Sequence, residues 1–69
     1  MYYVYVLHSA KDGHFYTGST NDLKRRLVEH NDGRVGSTEK RRPLRLIYYE
    51  ACLNETDARA REKYLKYGM

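Results

Sequence analysis

The residues Tyr2 to His8 constrain this chain more than any other segment. They are β-rich, and both of their alternating sets are largely apolar: Tyr3, Tyr5 and Leu7 on one side, Tyr2, Val4 and Val6 on the other. Side chains alternate along a strand, so such a run needs apolar cover on both faces and belongs at the centre of a sheet. In 69 residues there is room for one domain, expected to span residues 1–69, and for a small core. A chain of that size buries only about 60% of the surface its unfolded form exposes, so each apolar element carries a large share of the stability.

The remaining elements follow from turn and cap signals. Asp12-Gly13 marks a turn, and His14 to Ser19 reads as a second strand that pairs with the first as a hairpin. Pairing about the centre of that hairpin places Tyr5 opposite Tyr16 on one face, with both phenols in reach of one site. Gly18 is expected to end the strand and to admit a backbone or a ligand. Thr20 or Asn21 can cap a helix over Asp22 to Asn31, with Gly33 beyond its end. Leu23 and Leu27 form its buried stripe, Arg26 and His30 lie one turn apart along its flank, and Lys24, Arg25 and Glu29 point toward solvent.

Asp32 to Arg42 is polar and reads as a loop ended by Pro43. Leu44 to Glu50 is a third strand, again with apolar residues in both alternating sets. Asn54 caps a second helix, which ends at Gly68 and has Ala58 and Leu65 along its apolar edge. Glu62 falls about 40° from Ala58 around that helix, which brings a carboxylate to the buried margin, where it needs a partner. The expected fold is α+β: a small three-stranded antiparallel sheet with flanking helices in the order ββαβα, and the third strand beside the first.

Charge points to an anionic partner. Thirteen Lys and Arg against nine Asp and Glu give a net charge of +4, with basic clusters at Lys24-Arg25-Arg26, at Lys40-Arg41-Arg42 and along the second helix. Clusters of this kind also arise as plain solvated faces. Cys52 is the sole cysteine, so neither an internal disulfide nor a cysteine zinc site can form. No apolar run approaches the roughly 20 residues of a membrane span, and a soluble, cytoplasmic protein is expected.

Several stretches together resemble the GIY-YIG nuclease domain. They are Tyr3-Val4-Tyr5-Val6-Leu7, Phe15-Tyr16-Thr17-Gly18-Ser19, Asp22-Leu23-Lys24-Arg25-Arg26-Leu27 with Glu29-His30-Asn31, Pro43-Leu44 with Tyr48 and Glu50, and Ala58 with Arg61-Glu62 and Leu65-Lys66. The likeness covers nearly the whole chain, and is nearest to the small stand-alone bacterial members. Tyr3, Val4 and Thr17 replace the Gly and the two Ile of the motifs, with strand character kept.

That resemblance implies a metal-dependent phosphodiesterase, an endonuclease acting on single-stranded or branched DNA with little sequence preference, with RNA left open as a partner. DNA repair is the setting of the more distant excision-repair relatives. It assigns Tyr5 and Tyr16 to water activation and Arg26 to the scissile phosphate. His30 becomes the histidine one turn later, and Glu62 the ligand of one Mg²⁺ or Mn²⁺. Lys24, Arg25 and Lys66 are candidate contacts to the nucleic-acid backbone. Arg25 competes with Arg26 for the phosphate, Glu62 could instead pair with Arg61, Lys63 or Lys66, and which tyrosine acts as base stays open. Many members continue past the Glu-bearing helix, so a lacking C-terminal segment is one expectation, and a monomer or weak dimer another. A non-catalytic nucleic-acid binding module of the same fold is the alternative.

Overall fold

A computed structural model describes residues 1–68. Three antiparallel strands, β1 (Tyr2–Ser9), β2 (Phe15–Thr20) and β3 (Leu44–Cys52), form a sheet in the order β2-β1-β3, so β1 is central as its two apolar faces require. Helix α1 (Leu23–Asn31) follows β2, and α2 (Glu55–Gly68) follows β3. The two helices cover opposite faces. Leu23 and Leu27 of α1 pack with Tyr5, Leu7 and Leu44, whereas Ala58 and Leu65 of α2 pack with Val4, one step out of phase along β1. This is the ββαβα arrangement expected of the sequence.

The hairpin register differs from the expected one by two residues. Tyr5 faces Gly18, and Tyr16 faces Leu7. The cause lies in the turn, where the Ser9 hydroxyl accepts from the N–H groups of Lys11 and Asp12, and the Ser9 N–H reaches the His14 carbonyl at 3.0 Å. That wider loop sets His8 against Phe15 and moves the pairing along. A slip of two preserves the face of every side chain, so Tyr5 and Tyr16 remain together, with ring centroids 6.4 Å apart.

Gly18 neither ends β2 nor admits a ligand. Its missing side chain makes room for the Tyr5 ring: a Cβ there would lie 2.5 Å from the phenol oxygen and 2.7 Å from Cζ.

Local chemistry explains both helix starts. Asp22, not Thr20 or Asn21, caps α1 by accepting from the Arg25 N–H at 3.1 Å, while Thr20 Oγ1 accepts from the Asp22 N–H. The helix closes with the Arg34 N–H on the Glu29 carbonyl and the Gly33 N–H on that of His30, with Gly33 at φ +78°. Asn54 caps α2 through the Asp57 N–H at 2.9 Å.

Two further readings are corrected. β3 is an edge strand, not one covered on both sides: α2 packs chiefly on β1 and β2, a bulge opposite Val6/Leu7 interrupts the pairing, and Ile47, Tyr48 and Tyr49 stay exposed. The segment from Asp32 to Arg42 is more than a polar loop. It holds a 3₁₀ turn at Glu39–Arg41 and buries Val35 and Thr38. It is also pinned to the hairpin turn: Ser9 Oγ donates to the Arg41 carbonyl at 2.6 Å, and the Arg41 guanidinium donates to Asp12 at 2.8 Å. Among the described residues no helix is long and apolar enough to cross a membrane.

Because the Tyr5 ring is buried, it cannot swing away from a new methyl group at position 18. Gly18→Ala is therefore expected to destabilise the protein by about 1–3 kcal/mol in urea denaturation. Gly36→Ala, where a Cβ meets nothing within 4 Å, should stay within about 0.5 kcal/mol of wild type.

Candidate active site

Tyr5 is 1% exposed and His30 0%, so both depend on protein partners for their polar atoms. The Tyr5 hydroxyl lies 2.9 Å from His30 Nε2, and His30 Nδ1 lies 2.7 Å from Thr38 Oγ1. Tyr16 completes the cluster, its ring 5.1 Å from that of His30 in an edge-on arrangement. β1 and β2 supply the phenols from one face, and the last turn of α1 brings the imidazole down between them.

His30 is therefore not a flanking cation at the end of a helix. Burial, and next to it the charge of Arg26, lower its pKa from 6.5 to about 4, while Glu29 pulls weakly the other way. It is neutral at pH 7. Burial moves Tyr5 in the opposite sense, raising its phenol above 10.0, with the nearby Arg26 guanidinium opposing and the proximity of Tyr16 and Glu62 adding to the rise. In the protein alone burial outweighs Arg26, and Tyr5 keeps its proton.

The Arg26 guanidinium is 3.2 Å from Glu29, and Arg26 borders a hollow of about 310 Å³ shared with Ser19, Thr20, Asn21 and Arg59. A second hollow of about 310 Å³ lies at the other end of β2, lined by Tyr16, Thr17, Arg41 and Lys66 among others. Glu62 stands on α2 between Arg59 and Lys66. Its Oε1 accepts from Ser19 Oγ at 2.6 Å, and among the described residues no lysine or arginine pairs with it; Arg61 pairs with Glu50 instead.

One carboxylate with an oxygen that Ser19 does not engage suits a hard divalent cation, which takes oxygen ligands and keeps several waters. Among the described residues no group of three or more His, Cys, Asp or Glu could enclose a metal, so a zinc-type cage is not the chemistry on offer.

Tyr5, Tyr16, Arg26 and His30 thus come together on one face, and Glu62 reaches the same strand from the other. Lys66 borders the second hollow. Lys24 lines a separate hollow with Tyr3 and Tyr49, and Arg25 donates at 3.2 Å to Asn21, which borders the hollow of Arg26. Four residues are not singled out individually as site residues by the sequence. Arg59 lies three positions before Glu62, a helical spacing that could have marked it, and Ser19 shares its strand parity with Thr17. Arg41 and Thr38 sit in the connection after α1, where no period exists to flag them.

A family model described as the GIY-YIG catalytic domain matches residues 1–67. The chain is 43% identical to a UPF0213 protein of Clostridium perfringens, over 96% of its own length and 71% of the relative's. It is 40% identical to one of Desulfotalea psychrophila over 94% and 60%, and 43% identical to one of Lacticaseibacillus paracasei over 96% and 74%. The chain therefore spans 60% to 74% of these relatives. No solved structure matches it.

The lowered pKa of His30 makes folding pH-dependent. Between 6.5 and about 4 the unfolded chain binds a proton that the folded chain refuses, so stability rises with pH across that window and is lost as pH falls through it. The unfolding free energy from urea denaturation should fall between pH 6.5 and about 4 by on the order of 3 kcal/mol, and the urea midpoint with it. His30→Gln should flatten that slope. A wild-type midpoint unchanged over the window would contradict a buried, neutral His30.

Proposed function

The chain belongs to the GIY-YIG catalytic-domain family, a family of nucleases, and from that premise we propose that it is a divalent-metal-dependent endonuclease hydrolysing phosphodiester bonds in DNA. The observation that carries this reading is the buried 2.9 Å contact between Tyr5 and His30. A buried tyrosine hydroxyl needs some partner, and here that partner is a neutral imidazole, a group that can also take up the phenol's proton. The protonated phenol of Tyr5 is no base by itself. Coupled to His30, and once a substrate brings a water to its oxygen, it can accept that water's proton while its own passes to Nε2.

Each remaining residue has a part in that displacement. Tyr16, lining the hollow it shares with Arg41 and Lys66, orients the water. Arg26 grips the scissile phosphate through parallel N–H donors and stabilises charge that grows on its oxygens. The arriving phosphate in turn offsets the positive charge that depresses His30, raising its basicity when a substrate is in place. Nucleases of this family generally use divalent metal ions, and Glu62 would hold a Mg²⁺ or Mn²⁺ through the oxygen that Ser19 does not occupy. That ion would supply neutralisation at the phosphoryl and leaving oxygens.

Arg59 and Lys66 flank Glu62 on α2, seven residues or about 10 Å apart. They can contact phosphates on either side of the cleaved bond. Such contacts position a backbone without reading bases, consistent with single-stranded or branched DNA and little sequence preference. A non-catalytic nucleic-acid binding module is the second reading, favoured by the raised pKa of Tyr5 in the protein alone.

A cleavage assay over single-stranded, duplex, flap and junction DNA with Mg²⁺ or Mn²⁺ separates the two. Wild type should give product only with metal, and Tyr16→Phe and Glu62→Ala should lower the rate by about 10²–10⁴. Arg59→Ala and Lys66→Ala should each weaken binding and reduce the salt slope by roughly 0.7–0.9. Variants cutting as fast as wild type would sink the mechanism, and metal-independent affinity without product would favour the binding module.

A further inference from the structure

We propose that Thr38 sets the tautomer of His30, holding its proton on Nδ1 so that the bare Nε2 accepts the hydroxyl of Tyr5. Its consequence for catalysis rests on the nuclease reading; the tautomer itself does not. Thr38 and His30 are both 0% exposed, so water cannot substitute for a missing partner on either ring nitrogen. A neutral imidazole has one donor and one acceptor nitrogen, and the group facing one of them decides the role of the other.

The neighbours favour one direction for the chain of bonds. Thr38 Oγ1 lies 2.7 Å from Nδ1 and 3.5 Å from the Val35 carbonyl. A carbonyl only accepts, so the threonine hydroxyl can point its proton at Val35 and receive the Nδ1–H on its oxygen. At the other end stands Arg26, whose guanidinium only donates and lies beside the Tyr5 phenol. The positive charge of Arg26 repels the Tyr5 proton, and the 2.9 Å bond of the phenol directs that proton to Nε2. In the reverse arrangement Nε2–H and the guanidinium would both donate to one phenol, whose own proton would have no acceptor among these groups.

The backbone keeps that hydroxyl in place. Thr38 stands at the start of the Glu39–Arg41 turn, where a threonine side chain ordinarily caps the turn, but here it makes no cap bond. Its N–H bonds to the Val35 carbonyl at 3.1 Å, and its carbonyl accepts from the Arg41 N–H at 2.9 Å. Arg41 is itself anchored by Ser9 and Asp12. The connection after α1, pinned to the β1–β2 turn, thus acts as the rear wall of the site, with Thr38 as a positioning residue that touches no substrate.

Nitrogen-15 NMR of histidine-labelled protein at pH 7 reads this directly, with the His30 signals assigned by their loss in His30→Gln. Wild type should show a protonated Nδ1 and a bare Nε2. Thr38→Ser should keep that pattern, and Thr38→Val should lose it. In the cleavage assay Thr38→Val should lower kcat by about 10- to 100-fold with KM unchanged, and Thr38→Ser should restore it. A protonated Nε2 in wild type overturns the proposal, as does Thr38→Val with an unaltered pattern or full kcat. Should Thr38→Val fail to fold, the wild-type and Thr38→Ser spectra decide. A protein that cuts no substrate yet shows the expected nitrogens would defeat the nuclease reading and uphold the tautomer assignment.

Discussion

The hydrogen bond between Tyr5 and His30, laid across Gly18, is the contact on which the arrangement depends. It joins the central strand to the last turn of α1 through a space that exists only because β2 carries no side chain at that point. Each partner is sealed from water, so breaking the bond would leave a buried polar group unsatisfied, a cost of about 1–3 kcal/mol. In a chain with so small a core that is a large fraction of the stability. The site and the fold are therefore the same structure at this place, and neither can be altered alone.

Burial also governs the electrostatics. It raises the phenol of Tyr5 and lowers the imidazole of His30, so the two are neutral together, while Arg26 acts on both and favours the phenolate over the imidazolium. A pair held neutral by desolvation responds strongly to any charge that enters beside it, because little water is present to screen the effect. A phosphodiester arriving at Arg26 is such a charge. The same low polarity that makes Tyr5 a poor base in the protein alone makes the pair sensitive to substrate.

Much of this was legible in the sequence, and the limits have physical reasons. The two apolar faces of Tyr2 to His8 require a central strand, and the caps and glycines mark the helix ends to within a residue or two. The hairpin register was misjudged by two, yet the side-chain period is also two, so Tyr5 and Tyr16 kept their shared face. The depth of His30 was not legible: a helical wheel places it on a flank, and only the hollow between two tyrosine rings turns that flank into the interior. Thr38 carries no periodic signal at all. Its position comes from Ser9 and Arg41, bonds between segments 32 residues apart in sequence.

β2 unites the two halves of the site by simple alternation. Tyr16 and Gly18 project toward α1, where His30 and Arg26 stand, and Thr17 and Ser19 project toward α2, where Ser19 holds Glu62. Since β2 is an edge strand, the faces of the sheet meet along its open margin with no further layer between them. A six-residue strand can thus set a phenol–imidazole pair and a lone carboxylate on opposite sides of one exposed line. A central strand could not, because its neighbours would close that line, and this is why the chemistry sits at the edge of the sheet while the strand that anchors it sits at the centre.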